Sequence, residues 1–161
     1  VIATNNCTNQ TGVLTFEAAA FRGRNGAYVV RGRKLFRDDL DDYKAKAEAG
    51  REAEIFEGCF AISTCPSEGI ESPTVVGAQA ANELLDIAGM KASIVMTFYN
   101  NTIYLSARSI DEVNVQVMME KLGGGGHRTI AGAQLKDMSL EEARNRVKEV
   151  IRDMLEKGDI S

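Results

Sequence analysis

The chain has 161 residues, of which 44% are hydrophobic and 26% charged, with a formal net charge of −4 at pH 7. This balance is typical of a globular protein and excludes a disordered or fibrous chain. The excess of carboxylates excludes the broad positive field of most sequence-independent nucleic-acid binders, although a local anion site stays open. No apolar run approaches the roughly 20 residues of a membrane helix, so we expect no membrane contact by these residues.

The cysteines Cys7, Cys59 and Cys65 are odd in number and lack the paired short spacings of a zinc site or a disulfide scaffold. We therefore expect small packing residues in a reducing, cytoplasmic setting. The chain begins at Val1 rather than at a methionine, which favours a piece of a longer protein.

Two helices are predicted before the first strand. The run from Thr15 to about Arg24 indicates a helix that ends at Asn25-Gly26. A charged helix is predicted from Arg37 to about Glu54, with aspartates clustered at its start. A solvated helix face is the leading interpretation of these acids, and a metal site is the alternative.

The pattern then changes to strands. The β-formers from Ile55 to Ile62 predict one strand. Ser72-Pro73 predicts the start of a helix that reaches Gly89, with Val76, Ala80, Leu84 and Ile87 at helical spacing.

Two β-rich runs, Ala92–Tyr99 and Thr102–Arg108, are joined by Asn100-Asn101. Such a turn between strands predicts a β-hairpin, and this hairpin places Arg108 at a strand end.

The last third of the chain is predicted to form a helix, a strand and a final helix. Asp111 is predicted to cap a helix over Glu112–Leu122 that Gly123 stops. A strand is predicted over Ala131–Leu135, and a capping box at Ser139 opens the last helix. The core face of that helix is predicted to be Leu140, Ala143, Val147, Val150, Ile151, Met154 and Leu155, with Gly158 at its end. The order of elements predicts an α/β fold with a mixed β-sheet flanked by helices.

Four glycines and the sole histidine, Gly123-Gly124-Gly125-Gly126-His127, form the most informative segment. Successive glycines can let backbone N–H groups converge on an anion, and His127 could donate a hydrogen bond to a phosphoryl oxygen. The spacing is neither that of a P-loop nor that of a dinucleotide-binding fingerprint. From the residues alone, a flexible turn with a satisfied histidine is an equally good interpretation.

Two further residues are candidates for nucleotide contact. Arg108 at a strand end suits a bidentate phosphate contact, with a surface arginine as the alternative. Asn114 could read the edge of a base through its amide, although helix capping is the commoner role. With one histidine and no clustered His/Asp spacing, the chain cannot readily assemble a two-metal hydrolytic centre, and it presents no convincing Ser or Cys triad.

A family resemblance is carried by Ile103–Ser109 (IYLSARS), Val113–Gln116 (VNVQ) and Glu120–His127 (EKLGGGGH). Together with Ala53–Phe56 (AEIF), Ala78–Leu85 (AQAANELL) and Thr11–Ala19 (TGVLTFEAA), these segments resemble the DHH-associated domain of DHH-family phosphoesterases. Within that family the chain is most similar to the membrane-anchored bacterial cyclic-di-AMP phosphodiesterases.

The resemblance implies a division of the chain. Residues 1–36 would be the C-terminal remnant of a DHH catalytic domain, 37–53 a helical linker and 54–161 the DHH-associated domain. The sequence departs from the family at Ala3-Thr4, where the family usually has Asp-Thr, so a metal-ligand aspartate is replaced by Ala3. Catalytic competence of the parent protein is put in doubt by that departure.

By the same matching, Gly124, Gly125, Gly126 and His127 would contact the substrate, with Arg108 and Asn114 beside them. The resemblance implies hydrolysis of cyclic di-AMP to the linear dinucleotide by a parent with two manganese ions, and no cofactor in this chain. The implied partners are a cyclic or short linear dinucleotide and the DHH catalytic domain. A homodimer and a parent anchored in the bacterial membrane are left open.

Two rival functions remain. One is hydrolysis of short oligoribonucleotides or of nucleotide 3′-phosphates within the same superfamily. The other is a non-catalytic nucleic-acid-binding or dimerisation module, against which the acidic balance weighs.

Overall fold

A computed structural model describes residues 39–110 and 112–160. From Leu40 onward these residues form one compact unit. The helix predicted from Thr15, together with Ala3 and Cys7, lies outside the described residues. The predicted division into residues 1–36, 37–53 and 54–161 therefore stays a prediction.

The described residues contain helices and strands in alternation. The helices are α1 (Leu40–Arg51), α2 (Pro73–Leu85), α3 (Val115–Glu120) and α4 (Leu140–Lys157). The strands are β1 (Glu54–Phe56), β2 (Phe60–Thr64), β3 (Ala92–Tyr99), β4 (Thr102–Ser109), β5 (Gly125–Gly126) and β6 (Ile130–Lys136).

All six strands belong to one sheet in the order β1-β2-β3-β4-β6-β5. The pair β2–β3 is parallel and every other neighbouring pair is antiparallel. The parallel pair needs a crossover, which α2 supplies. The predicted α/β fold with a mixed sheet and flanking helices is confirmed.

The β3–β4 hairpin is confirmed with its turn. Asn100 and Asn101 have φ values of 50° and 58°, the left-handed conformation that a two-residue hairpin loop requires and that asparagine tolerates. Arg108 lies opposite Ser93 on β3 and opposite Ile130 on β6, at the end of β4.

The prediction of one strand over Ile55–Ile62 is wrong. A turn at Glu57 and Gly58, with φ values of 50° and 77°, divides this segment into β1 and β2. Phe56 and Phe60 then lie opposite each other across the antiparallel pair, and both rings are buried. Burial of two aromatic rings in one core stabilises the folded-back chain over a single extended strand.

The predicted start of α3 at Glu112 is also wrong, and its predicted cap, Asp111, lies outside the described residues. The helix begins at Val115, and the Asn114 side chain caps it by accepting from the N–H groups of Gln116 and Val117. Ser109 Oγ donates a 2.6 Å hydrogen bond to the carbonyl of Val113. Because the Val113 carbonyl accepts this bond from outside the helix, the first helical hydrogen bond is accepted by the next carbonyl, that of Asn114, from the N–H of Met118.

Helix α3 ends at Glu120 rather than at the predicted Leu122, and the predicted left-handed cap at Gly123 is confirmed. Gly123 has φ 79°; its N–H donates to the carbonyl of Glu120 and the N–H of Gly124 to that of Met119. This pattern is a Schellman motif, which needs a left-handed residue where glycine stands.

Helix α2 begins at Pro73 as predicted but ends at Leu85 rather than near Gly89. The N–H groups of Asp86 and Ile87 bond three residues back, to Glu83 and Leu84, which tightens the last turn and ends the helix. Ile87, which the helical spacing placed on the apolar face of this helix, is consequently 46% exposed and does not belong to the core. Ser72 precedes the helix without a side-chain cap hydrogen bond.

Two apolar cores lie on opposite faces of the sheet. The larger core packs α3 and α4 against alternate residues of β3, β4 and β6. The predicted core face of α4 is confirmed, with the Ser139 capping box and the left-handed Gly158 at its ends. The smaller core packs α1 and α2 on β2 and β3, through Ala45, Ala49, Ala61, Cys65, Val76, Ala80, Ala81, Leu84 and Val95.

Candidate functional site

The predicted site residues meet at one end of the sheet, around the turn that joins β5 to β6. His127 and Ile130 exchange hydrogen bonds, N–H to carbonyl at 2.7 Å and 3.3 Å. The turn is held on one side by Ser109 N–H, which donates to the carbonyl of Thr129, and on the other by Val115 N–H, which donates to the carbonyl of Arg128. The backbone therefore places the exposed His127 next to the end of β4 and the start of α3.

The amide groups of the glycine run do not form a shared anion cradle. Backbone carbonyls accept hydrogen bonds from the N–H groups of Gly123, Gly124 and His127. Gly126 lies opposite Ala131 in the next antiparallel pair after His127 and Ile130. Because hydrogen-bonded and non-hydrogen-bonded pairs alternate, the Gly126 N–H is directed away from β6 at the sheet edge.

The glycines of this run have different steric requirements. A Cβ on Gly124 would overlap the Gly132 carbonyl oxygen, and one on Gly126 would come within 2.5 Å of Ala131 Cα. A Cβ on Gly125 would meet nothing within 4 Å. Packing in the fold therefore requires glycine at positions 124 and 126. At Gly125 a side chain would meet only open space beside the sheet.

Arg108 is a half-buried cation held by neutral oxygens. Its Nε donates to Oδ1 of Asn82 on α2 at 2.8 Å, and Nη1 donates to the Ala107 carbonyl at 2.8 Å. Burial lowers the pKa of Arg108, yet a guanidinium stays protonated at neutral pH. A partly desolvated charge without a carboxylate in these bonds favours an anionic ligand.

Asn114 has the capping role that the sequence left as the alternative. Its Oδ1 accepts from Gln116 N–H at 3.1 Å and from Val117 N–H at 3.4 Å. The side-chain oxygen therefore caps α3 beside the β5–β6 turn, and contact of Asn114 with a base stays a prediction.

Sequence reasoning missed an open part of the sheet beside these residues. A cleft of about 530 Å³ lies along β4 and β6, between the first turn of α2 and the Gly123-Gly124 segment. Tyr104, Ser106, Gln134 and Lys136 line it. The sequence signal for this surface is period-2 alternation along β4. The apolar residues Ile103, Leu105 and Ala107 are buried, and the polar residues Tyr104 and Ser106 alternate with them on the other face.

No group of three metal-ligating side chains occurs within residues 39–110 and 112–160. Burial, followed by the charge of Asp42, raises the pKa of Cys65 to about 11, which is opposite to the shift of a nucleophilic thiolate. Over the same residues, no helix has the length and apolar character to span a membrane.

Comparison with known proteins agrees with the expected resemblance. The chain is 39% identical over 159 residues to the cyclic-di-AMP phosphodiesterase GdpP of Geobacillus thermodenitrificans, which covers 98% of this chain and 24% of that relative. It is 38% identical over 148 residues to the cyclic-di-AMP phosphodiesterase PdeA of Listeria monocytogenes, which covers 91% and 22% respectively. The chain thus spans about a quarter of the length of these curated relatives.

A solved structure shares the fold. The crystal structure of an exopolyphosphatase-related protein from Bacteroides fragilis matches 94% of this chain and 46% of its own chain, with a TM-score of 0.79 at 16% identity. A model of the DHHA1 domain matches residues 59–156. That match takes in more than half of the residues, and the chain belongs to the DHHA1 domain family.

Proposed function

We propose that this chain is the nucleotide-recognition part of a phosphodiesterase that hydrolyses cyclic di-AMP to the linear dinucleotide. The observation that carries the proposal is the half-buried Arg108, bonded to neutral oxygens, at the sheet end where the β5–β6 turn presents His127. Two relatives at 38–39% identity are named as cyclic-di-AMP phosphodiesterases, which supports this choice of ligand.

In this proposal each residue has a distinct function toward the bound phosphate. The Arg108 guanidinium neutralises its charge, and the exposed His127 side chain donates a hydrogen bond. The Gly126 N–H at the sheet edge adds a neutral donor, and Gly125 allows close approach because it lacks a side chain. Asn82 and Asn114 position Arg108 and the turn without touching the ligand.

The metal chemistry is assigned outside the described residues. The two manganese ions that the resemblance implies would be held by a DHH catalytic domain and would activate water for attack on phosphorus. The resemblance places their ligands in that domain, so we expect this chain alone to bind nucleotide without hydrolysing it. A membrane anchor would likewise belong to the parent protein.

Calorimetric titration with cyclic di-AMP and with the linear dinucleotide tests the proposal, with a parallel hydrolysis assay in manganese. We expect binding without turnover, and loss of binding in the Arg108→Ala, His127→Ala double variant. Arg51→Ala is the matched control, because this exposed arginine pairs with Glu48 on α1. Unchanged affinity in the double variant contradicts the proposal.

The same titration separates the rival functions. Stronger competition by the linear dinucleotide than by cyclic di-AMP would favour a hydrolase of short oligonucleotides. Binding of long RNA with a steep dependence on salt would favour a nucleic-acid-binding module.

A further inference from the structure

Ile130 lies between the two residues that we assign to phosphate binding. It stands directly opposite Arg108 in the β4–β6 pair, and on its other side it exchanges N–H to carbonyl hydrogen bonds with His127. Directly opposed residues of neighbouring strands project from the same face of a sheet. The side chains of Arg108, Ile130 and His127 therefore form one row across this end of the sheet.

The spacing within this row follows from the strand pairing. Ser109 N–H donates to the Thr129 carbonyl, so the neighbouring Arg108–Ile130 pair is of the non-hydrogen-bonded kind, with Cα atoms about 4.5 Å apart. The hydrogen-bonded Ile130–His127 pair adds about 5.5 Å. The Cα atoms of Arg108 and His127 are thus about 10 Å apart, and a phosphate that contacts both side chains lies next to Ile130.

The Ile130 side chain is apolar and 51% exposed. Burial alternates along β6, and the residues that share the open face with Ile130 are Gly132, Gln134 and Lys136. Ile130 is thus the one hydrophobic side chain that β6 presents on this face. A single exposed isoleucine is ordinary on a protein surface, but this isoleucine lies between two phosphate contacts. Its place indicates a ligand with an apolar part close to its phosphate.

The next row on the same face leaves space for a planar ring. It consists of Ser106, Gly132 and Gly125, and a Cβ on Gly125 would meet nothing within 4 Å. Rows on one face of a sheet are two residues apart, which is about 7 Å along the strands. A nucleotide spans that distance from its phosphate to its base, so the base reaches this row while the phosphate stays with Arg108 and His127.

We propose that Ile130 is the base-contacting residue of this site, and that its side chain packs against the adenine ring of the nucleotide whose phosphate Arg108 and His127 hold. The inference rests on the proposed function and adds an apolar contact that the two phosphate-binding residues do not supply. Burial of the exposed part of Ile130 favours a nucleotide over a sugar phosphate, since the base removes apolar surface from water. One base and its own phosphate take part, so the contact is compatible with a cyclic dinucleotide.

The test is an NMR titration of the 161-residue chain, labelled with ¹³C at the isoleucine δ1 methyl groups, with cyclic di-AMP and, separately, with ribose 5-phosphate. The ring current of a base on Ile130 should move its methyl resonance upfield, and ribose 5-phosphate, which has no aromatic ring, should not. Ile55 is 48% exposed on β1, at the opposite edge of the sheet. Its methyl resonance is the internal control and should move with neither ligand.

Variants measure how much the contact contributes to affinity. Ile130→Ala should weaken cyclic di-AMP binding about tenfold, because it removes apolar surface that the base covers, and should leave ribose 5-phosphate binding unchanged. Ile130→Leu keeps the apolar volume and should bind within about twofold of wild type. Ile55→Ala is the matched control. If Ile130→Ala unfolds, the methyl resonance of the wild-type chain still tests the contact.

The outcomes separate this inference from the proposed function. Cyclic di-AMP that binds through Arg108 without an upfield shift at Ile130, and with full affinity in Ile130→Ala, overturns the base contact and leaves the proposed function standing. An equal loss of affinity for cyclic di-AMP and for ribose 5-phosphate in Ile130→Ala also overturns the base contact. Absence of cyclic di-AMP binding by the wild-type chain overturns both.

Discussion

Nε of Arg108 donates a 2.8 Å hydrogen bond to Oδ1 of Asn82, which ties the end of β4 to α2 across 26 residues of sequence. The second guanidinium bond, from Nη1 to the Ala107 carbonyl, fixes the plane of the group together with the first. Asn82 is therefore a positioning residue for the cation that we assign to phosphate binding.

Substitution of Asn82 tests this positioning. Asn82→Ala removes one hydrogen bond of about 1 kcal/mol, so we expect nucleotide affinity to fall about threefold to tenfold. Asn82→Asp should lose more, because the new carboxylate pairs with Arg108 and competes with phosphate. Calorimetric titration measures both, with Asn145→Asp on the exposed side of α4 as a charge-matched control. Equal affinities of wild type and Asn82→Asp would contradict the assignment.

The glycine run offers a comparison of neighbouring substitutions. Gly124→Ala places a methyl group on the Gly132 carbonyl and should lower the free energy of unfolding by about 1–3 kcal/mol. Gly125→Ala meets open space, so we expect unchanged stability but weaker nucleotide binding, because the methyl group occupies the ligand's side of the sheet. Thermal unfolding and titration measure the two effects. Full nucleotide affinity in Gly125→Ala would show that the ligand does not approach there.

The cap at Asn114 can be separated from base reading. Asn114→Ala should lower the free energy of unfolding by about 1 kcal/mol, whereas Asn114→Ser keeps a capping oxygen and most of that stability. Because the structure assigns Asn114 to the cap, we expect Asn114→Ser to retain nucleotide affinity. Urea unfolding and titration are the measurements. A stable Asn114→Ser variant with a clear loss of affinity would instead restore direct contact with the base.

A pH dependence is expected from Glu54 on β1. Lys148, which donates a 2.7 Å hydrogen bond, and Arg144 hold the pKa of this carboxyl below its usual value. A lowered pKa in the folded state stabilises the fold above the usual pKa, and this stability is lost as the pH falls through the lowered one. The Glu54 side chain is 42% exposed, so roughly 0.5–1 kcal/mol is expected after allowance for solvent screening.

Urea unfolding of Glu54→Gln at pH 7 and in acid measures this contribution. The variant should be less stable than wild type at pH 7, and the difference should shrink once Glu54 is protonated in the wild type. Glu68→Gln, at an exposed loop position, is the control. An equal difference at both pH values would show that the ion pairs with α4 contribute nothing.

The sequence predicted the elements whose signals are local. The asparagine turn of the β3–β4 hairpin, the capping box at Ser139 and the left-handed Gly123 each depend on a few adjacent residues. The errors fell where distant contacts decide. The turn at Glu57-Gly58 is stabilised by two aromatic rings that meet in the core, and the start of α3 depends on a bond from Ser109.

The site shows the same division. Residue type and family resemblance were enough to select Arg108 and the glycine run as candidates, because guanidinium groups and glycines have distinctive chemistry. Local patterns could not show that Asn82 orients Arg108, that the Asn114 side-chain oxygen caps α3, or that Gly125, unlike Gly124 and Gly126, has open space above it. Those facts depend on packing between elements that are far apart in the chain.

By itself, the sequence determined the fold class, the family and the segment that presents His127, since hydrophobic period, turn residues and motif spacing are properties of neighbouring residues. Only the tertiary structure decided which glycines the fold requires, which amides stay available and which part of the sheet remains open. These depend on strand register and on the place where α2 stops covering the sheet, and both are set by distances between side chains that the chain brings together only on folding.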